Sequence, residues 1–313
     1  MKKQIKQVHF QITQNCNLRC PFCGQWGKKG FFAESSGKAM TLSDWERVIA
    51  ELETYRMNTG ISTTVTVWGG EPLVSSYFDE IITALHQKSF KTEIITNGVL
   101  IDEHLKTIQN CVDRVYVSLD GTREVHNSIR GEGVFEKVTE NLKKLKHNNV
   151  TVMSVITPQL INGLDEFLTE LDSIGIKQLY LQDMIGFTAD EIQEYKSWLN
   201  SVFDITAHDI DSWRNDNLFK AENIAFGNHG YEIEHKKHNK DGHCHSPFNH
   251  AHIAWNGNVL YCTDFYDFSA GNVKEDSLIN IFNNEKSERY RAEIQAGNCP
   301  TCNHCSWRTK EEY

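Results

Sequence analysis

Short apolar runs rich in β-branched residues alternate with segments of helical periodicity along the first two thirds of the chain. Capping sequences begin helical segments at Thr41 and Thr188, each followed by apolar residues at helical spacing. Predicted strands lie at 7–13, 65–68, 93–96, 114–118, 150–156 and 178–181. Such alternation predicts a parallel sheet with right-handed crossovers. The six strand–helix units are fewer than the eight of a closed barrel.

Composition and charge narrow the class of protein. The chain of 313 residues is long enough for one large domain and one small one. Its content of 39% hydrophobic and 24% charged residues is typical of a globular protein. No apolar run approaches the roughly 20 residues of a membrane span, and the N-terminus lacks the apolar segment of a signal peptide. The net charge of −10 argues against general nucleic-acid binding. With clustered cysteines, these features predict a cytoplasmic protein that does not bind membranes.

Three cysteines follow the first predicted strand within eight residues, at Cys16, Cys20 and Cys23. Thiolates are soft ligands that suit iron–sulfur clusters and zinc. Three of them leave one metal position open, and an open position is where chemistry takes place. A zinc knuckle or a set of buried free thiols is the alternative on spacing alone.

This C-x3-C-x-Phe-C run resembles the signature of the radical S-adenosylmethionine (SAM) enzymes. The resemblance implies that the three cysteines hold three irons of a [4Fe-4S] cluster and that SAM chelates the fourth. It also implies reductive cleavage of SAM to a 5′-deoxyadenosyl radical that abstracts a substrate hydrogen. The electron would come from an external one-electron donor that is flavodoxin-like or ferredoxin-like. Phe22, beside the third cysteine, would stack near the adenine.

A second family motif is Gly69-Gly70-Glu71-Pro72, at the carboxyl end of a predicted strand. Parallel α/β folds bind ligands at this edge. The stretch resembles the family's GGEP motif, which holds the methionine amino group of SAM. Two glycines allow a backbone to approach a ligand closely, and a carboxylate pairs with an ammonium group. A plain strand-to-helix turn accounts for the glycines and the proline but not for the glutamate.

Two further strand ends resemble SAM contacts of the family. One is Thr96-Asn97 after the third strand, and the other contains Ser118 and Asp120 after the fourth. Arg130, expected on the following loop, would lie near the SAM carboxylate. Each of these stretches alone is also typical of an ordinary turn.

Five more cysteines lie toward the C-terminus: Cys244, Cys262, Cys299, Cys302 and Cys305. A hairpin predicted to turn at Asn256-Gly257 would bring the first two thiols together. The pattern resembles the SPASM or twitch extension of radical SAM enzymes and implies one auxiliary [4Fe-4S] cluster. Four thiolates complete such a cluster, so two of the last three cysteines would join Cys244 and Cys262. Zinc is the alternative occupant.

The resemblance implies an α/β fold, a partial (β/α)6 TIM-like barrel with a small C-terminal cysteine-rich β-hairpin/helix domain of SPASM/twitch type. The expected divisions are 1–205 for the barrel, 206–240 for a linker or substrate-covering segment, and 241–313 for the auxiliary domain. Half of the 14 histidines lie between His229 and His252. Their spacing favours solvated or hydrogen-bonding histidines over a zinc site.

The implied function is that of a radical SAM enzyme whose auxiliary cluster assists oxidation or rearrangement. The substrate is either a small molecule, such as a sugar or aminocyclitol, or a peptide or protein side chain. The absence of a leader-recognition domain favours a small molecule or an unmodified protein loop, and a peptide maturase with recognition in trans is the alternative. Asp264 and Asp183 are candidate general bases. Alternatives of another class are an iron–sulfur electron-transfer or sensor protein and a zinc-binding interaction module.

Overall fold

One sheet forms the centre of the computed structural model, which describes residues 3–26, 30–33, 37–216, 219, 232–236, 242–262 and 265–305. Within these ranges the strands, in chain order, are β1 (Gln7–Gln11), β2 (Thr64–Trp68), β3 (Lys91–Thr96), β4 (Arg114–Ser118), β5 (Val150–Val155), β6 (Gln178–Gln182), β7 (Glu232–Lys236), β8 (His250–Ile253), β9 (Asn258–Leu260) and β10 (Gly271–Asn272). Their order across the sheet is β10-β9-β8-β1-β2-β3-β4-β5-β6-β7.

Helices connect the strands in the predicted rhythm. The described helices are α1 (Leu42–Thr59), α2 (Phe78–Gln87), α3 (Leu105–Cys111), α4 (Arg123–Arg130), α5 (Val134–Lys144), α6 (Pro158–Asn162), α7 (Leu164–Ser173), α8 (Ala189–Phe203), α9 (Ser246–Asn249), α10 (Leu278–Asn283) and α11 (Glu285–Ala296). Thr41 and Thr188 form the capping boxes predicted for α1 and α8. These caps satisfy backbone N–H groups that the first helical turn leaves without partners.

Strands β1 to β6 are parallel and adjacent in chain order, which confirms the six predicted units. Strand alternation divides the side chains between two faces. On one face Phe10 packs on Trp45 of α1, with ring centroids 4.9 Å apart. On the other face β1 and β2 place His9 and Gln11 beside Thr66 and Trp68. The helices therefore cover an apolar outer face, and polar residues line the inner face of an open barrel.

Both ends of this sheet extend beyond the predicted units. Strand β7, from the stretch that the sequence predicts to be a linker or substrate-covering segment, pairs in parallel with β6. Strand β8 pairs in parallel with β1, and β9 returns antiparallel to β8. This confirms the predicted hairpin, in which Gly257 adopts a positive φ of 94° at the turn. The C-terminal cysteine region thus shares its sheet with the barrel.

Among the helices that the structure describes, none is both long enough and apolar enough to cross a bilayer.

Candidate active site

The first three cysteines lie on a loop that follows β1 and contacts the end of β2. The Gly70 amide donates to the Thr13 carbonyl at 2.9 Å, and the Glu71 amide donates to the Asn15 carbonyl at 2.8 Å. A Cβ atom on Gly70 would lie far inside van der Waals contact with the carbonyl oxygens of Gln14 and Asn15. The close approach that the glycine permits is therefore to the cysteine loop, whereas the sequence suggested an approach to a ligand.

The carboxylate of Glu71 joins the ends of β2 and β3. It is buried and accepts hydrogen bonds from the Thr96 hydroxyl at 2.7 Å, the Asn97 amide at 2.6 Å and the Leu73 amide at 3.1 Å. Burial raises the pKa of Glu71 to about 7, although these hydrogen bonds oppose the rise. Glu71 also caps the short 3-10 turn that Pro72 begins. Hydrogen bonds from three residues therefore hold the Glu71 carboxylate in place.

An ion pair lies at the end of β4. The Arg130 Nε donates to Asp120 at 2.6 Å, and the other Asp120 oxygen accepts from the Val155 amide at 3.0 Å. Burial would lower the pKa of Arg130, but the charges of Asp120 and the Cys20 thiol raise it above its usual value. Arg130 is the last residue of helix α4, so its predicted place on a loop is wrong. The helical turns from Arg123 direct its side chain back toward the strand end.

The three thiols lie within electrostatic range of one another. Burial, together with the charges of Glu71, Cys20 and Cys23, raises the pKa of Cys16 to about 11, although the hydrogen bond from the Leu18 amide opposes the rise. Burial also raises the pKa of Cys20, while Arg130 opposes that rise. The Cys16 thiol accepts from the Leu18 amide at 3.4 Å. The site therefore combines three thiols with Glu71 and with Arg130, whose side chain is 10% exposed.

Two residues that sequence reasoning missed hold the cysteine loop in shape. The Trp26 indole donates to the Gln14 carbonyl, and the Arg19 guanidinium lies 4.3 Å above the Trp26 ring centre. Arg19 also donates to the Cys16 carbonyl at 2.7 Å. In the sequence, Arg19 directly precedes Cys20 and Trp26 follows Cys23 by three residues. This placement is the sequence signal for the cation–π contact.

The remaining predicted residues occupy more open positions. Phe22 is half-buried in the turn between Cys20 and Cys23, and Ser118 is half-buried at the end of β4. Asp183 directly follows β6 and is half-buried. Asp264 lies outside the described residues. Asp183 is thus placed at the strand edge where the sequence predicts it.

The five C-terminal cysteines lie together around two buried tyrosines. Burial raises the pKa of Tyr195 of α8 and Tyr290 of α11 well above the usual value, and the Cys262, Cys299 and Cys302 thiols contribute to both shifts. Cys302 also interacts with the two remaining thiols, those of Cys244 and Cys305. The structure brings together all five predicted cysteines, and sequence reasoning missed the two tyrosines that they surround.

Histidines from the C-terminal segment are also buried. His245, His250 and His252 are at most 8% exposed, so the expectation of solvated histidines is wrong for these three. The Ser246 hydroxyl lies 3.1 Å from His250 Nδ1, which confirms the hydrogen-bonding alternative there. His229 and His238 lie outside the described residues.

Both cysteine sets have the donor chemistry of an iron–sulfur cluster, which is held by cysteine thiolates. The N-terminal set supplies three thiols and the C-terminal set supplies five. In the described part of the chain, no three His, Cys, Asp or Glu side chains form a group suited to one metal ion.

The fold, the cysteine loop and the C-terminal thiols together define a radical SAM enzyme. The model of the radical SAM superfamily matches residues 10–171, and that of an iron–sulfur cluster-binding domain, SPASM, matches residues 244–306. The chain belongs to the radical SAM superfamily. Its cofactors are therefore SAM and iron–sulfur clusters, as the sequence predicts.

Named relatives extend over nearly the whole chain. The tungsten-containing aldehyde ferredoxin oxidoreductase cofactor-modifying protein of Pyrococcus furiosus is 25% identical over 97% of this chain and 88% of its own. The cysteine-type anaerobic sulfatase-maturating enzyme of Clostridium novyi is 24% identical over 97% of this chain and 86% of its own. The structure of Streptococcus suis SuiB bound to precursor peptide SuiA has a TM-score of 0.63 at 15% identity, covering 97% of this chain and 71% of that chain.

Proposed function

We propose that the protein is a radical SAM maturase that oxidises or rearranges an amino-acid side chain of a peptide or protein. The observation that carries the proposal is one sheet that joins two thiol sites, because β8 of the C-terminal region pairs with β1 beside the cysteine loop. Similarity to a sulfatase-maturating enzyme over 97% of the chain supports a protein substrate. This choice narrows the two substrate classes that the sequence leaves open to the peptide or protein side chain.

Cys16, Cys20 and Cys23 would hold the cluster that binds SAM. When bound and reduced, this cluster supplies the electron that cleaves SAM to methionine and a 5′-deoxyadenosyl radical. An ionised carboxylate has about four acceptor sites, and Glu71 uses three of them. The remaining acceptor site suits the methionine ammonium group. Arg130 lies close enough to Cys20 to attract the SAM carboxylate.

Phe22 and the strand ends Thr96-Asn97 and Ser118 would complete the SAM site. The barrel at 1–205 would hold SAM and substrate, with 206–240 as a linker or covering segment and 241–313 as the auxiliary domain. Cys244 and Cys262 with two of Cys299, Cys302 and Cys305 would hold the auxiliary [4Fe-4S] cluster, which would accept an electron from the substrate.

Asp183 and Asp264 remain the candidate bases for a substrate proton. An external one-electron donor of flavodoxin or ferredoxin type would reduce the SAM-binding cluster. In an oxidation, the substrate side chain would lose a hydrogen atom to the radical and a proton to the base, and its second electron would pass to the auxiliary cluster.

The test uses reconstituted, oxygen-free protein with SAM, dithionite and a panel of deuterated peptides. We expect 5′-deoxyadenosine that carries deuterium from at least one peptide, and about eight irons per chain from two four-iron clusters. Deuterium transfer only from sugars or aminocyclitols would restore the small-molecule function. If no 5′-deoxyadenosine forms above background, the protein is an electron-transfer or sensor protein. Zinc in place of the second cluster would leave about four irons.

A further inference from the structure

Three buried histidines lie together on the inner face of the sheet. His9 is on β1, and His250 and His252 are on β8; these residues with Gln11 and Trp68 are called the histidine cluster below. The parallel pairing of β8 with β1 places His252 opposite His9. The His9 ring centre lies 4.3 Å from that of His250 and 6.4 Å from that of His252. His252 and Gln11 are fully buried.

Many polar atoms of the histidine cluster are buried without a hydrogen-bond partner in the described part of the protein. They are His9 Nδ1, His250 Nε2, both ring nitrogens of His252, Gln11 Nε2 and Trp68 Nε1. The Cys262 backbone lies close to the His252 ring. Buried polar atoms in folded proteins almost always have partners, so this concentration points to a ligand that supplies them.

The hydrogen bonds of His250 determine which of its nitrogens is the acceptor. The Ser246 hydroxyl donates to the Tyr261 carbonyl. It therefore accepts from His250 Nδ1, which leaves Nε2 as an unprotonated acceptor. The indole of Trp68 and the amide nitrogen of Gln11 can only donate. The histidine cluster thus offers both donors and acceptors to a ligand.

The histidine cluster lies between the two thiol sites. The His252 ring contacts Trp68 at 5.2 Å and Tyr266 at 5.5 Å between ring centres. Trp68 directly precedes the glycines that pack on the cysteine loop. The Tyr266 hydroxyl accepts from Gln25 Nε2 at 3.4 Å, two residues beyond Cys23. A group bound here would lie next to the place where the radical forms.

Charge limits what the histidine cluster can hold. Burial lowers the pKa of His250 to about 4 and that of His9 well below its usual value, so both rings are neutral at pH 7. Gln11 and Trp68 carry no charge. A charged group buried here would meet no opposite charge within the cluster, and an uncompensated buried charge is strongly unfavourable.

We propose that the histidine cluster binds an uncharged side chain of the substrate that both donates and accepts hydrogen bonds, namely the carboxamide or hydroxyl of a peptide residue. This assignment rests on the proposed function, in which the substrate is a peptide. It names the residue class that the barrel selects: asparagine, glutamine, serine or threonine.

Equilibrium dialysis of the reconstituted protein with SAM, against blocked tripeptides acetyl-Gly-Xaa-Gly-amide, tests the assignment. With Xaa as Asn or Ser, we expect affinity about tenfold higher than with Ala, Asp or Lys. Trp68→Phe keeps the ring but loses the N–H group, and His252→Phe removes both ring nitrogens. Each should reduce the preference to less than about threefold without changing SAM binding. His86→Phe, at an exposed histidine of α2, should retain it.

Several results would overturn the assignment. They are tighter binding of the Asp or Lys peptide, no preference, no binding of any tripeptide, or a preference that survives in both cluster variants. Stoichiometric zinc that is lost in His250→Phe would make the histidine cluster a metal site instead. If one of these results is obtained while deuterium still passes from a peptide to 5′-deoxyadenosine, the assignment of the histidine cluster fails and the proposed function stands. If no peptide transfers deuterium, the proposed function fails.

Discussion

The two thiol regions are built in different ways. Around the N-terminal loop, backbone hydrogen bonds link residues 13–15 to the end of β2, and Glu71, Asp120 and Arg130 lie close by. The C-terminal thiols come from distant parts of the chain and surround the buried tyrosines of α8 and α11. The first region provides charged groups for a polar cofactor, whereas the second encloses thiols among aromatic rings. Catalytic metal sites, which keep one ligand position open, differ in this way from metal sites whose ligands are all supplied by the protein.

The largest expected effect separates the functions of the two regions. Cys20→Ala should abolish 5′-deoxyadenosine formation, because the SAM-binding cluster loses a thiolate. Cys262→Ala should retain some SAM cleavage while product formation stops. Chromatography of 5′-deoxyadenosine and product measures both. Cys111→Ala, at the half-buried end of α3, is the matched control and should behave as wild type. Identical behaviour of the first two variants would contradict this separation.

The packing of the cysteine loop can be disrupted without removing a thiol. In Gly70→Ala the new methyl group would collide with the Gln14 and Asn15 carbonyls, so the loop must move. We expect iron to fall from about eight to about four per chain, and 5′-deoxyadenosine to fall at least about tenfold. Gly163→Ala is the control, because its methyl would meet Thr122 Cγ2 only at 3.2 Å. Full iron content in Gly70→Ala would show that the loop tolerates displacement.

A smaller effect distinguishes the ligands of the C-terminal region. Cys302 interacts with Cys299, Cys244 and Cys305, which places it centrally among the thiols. Cys302→Ser should therefore lose about four irons, whereas Cys305→Ser should retain about eight. Iron and sulfide analysis after anaerobic purification measures the difference. Loss of iron in Cys305→Ser alone would reverse the assignment.

The smallest effect concerns the attachment of residues 208–210 to the C-terminal region. Asp267 accepts from the amides of His208 at 2.6 Å, Asp209 at 2.8 Å and Ile210 at 3.1 Å. Burial, with the charge of Asp267, raises the pKa of Asp209 to about 6. The folded pKa of Asp209 lies above its unfolded value. The stability that protonated Asp209 contributes is therefore complete below about pH 4 and is lost as the pH rises through about 6.

Asp209→Asn should therefore increase the free energy of unfolding at pH 7 by about 1 kcal/mol, after allowance for solvent screening. The gain should disappear at pH 4. Urea unfolding at both pH values measures it. Asp172→Asn, at an exposed carboxylate, is the control. An equal gain for Asp209→Asn at both pH values would contradict the pKa argument.

The sequence by itself determined the local features of this protein. Alternating periodicities predicted β1 to β6 and the helices between them, because side-chain spacing reports which face of an element is buried. Cysteine spacing and the strand-end motifs predicted the SAM-binding region, because both lie in short continuous stretches. The capping boxes at Thr41 and Thr188 followed from single residues and their neighbours.

Only the tertiary structure decided which distant segments meet. The pairing of β8 with β1 brings His252 to His9, residues separated by most of the chain. The tertiary structure also brings the hydrogen-bond donors to Glu71, Arg130 to Asp120, and the thiols to Tyr290. Such contacts depend on how the whole sheet orders its strands, and local periodicity carries no information about the order of strands far apart in the chain.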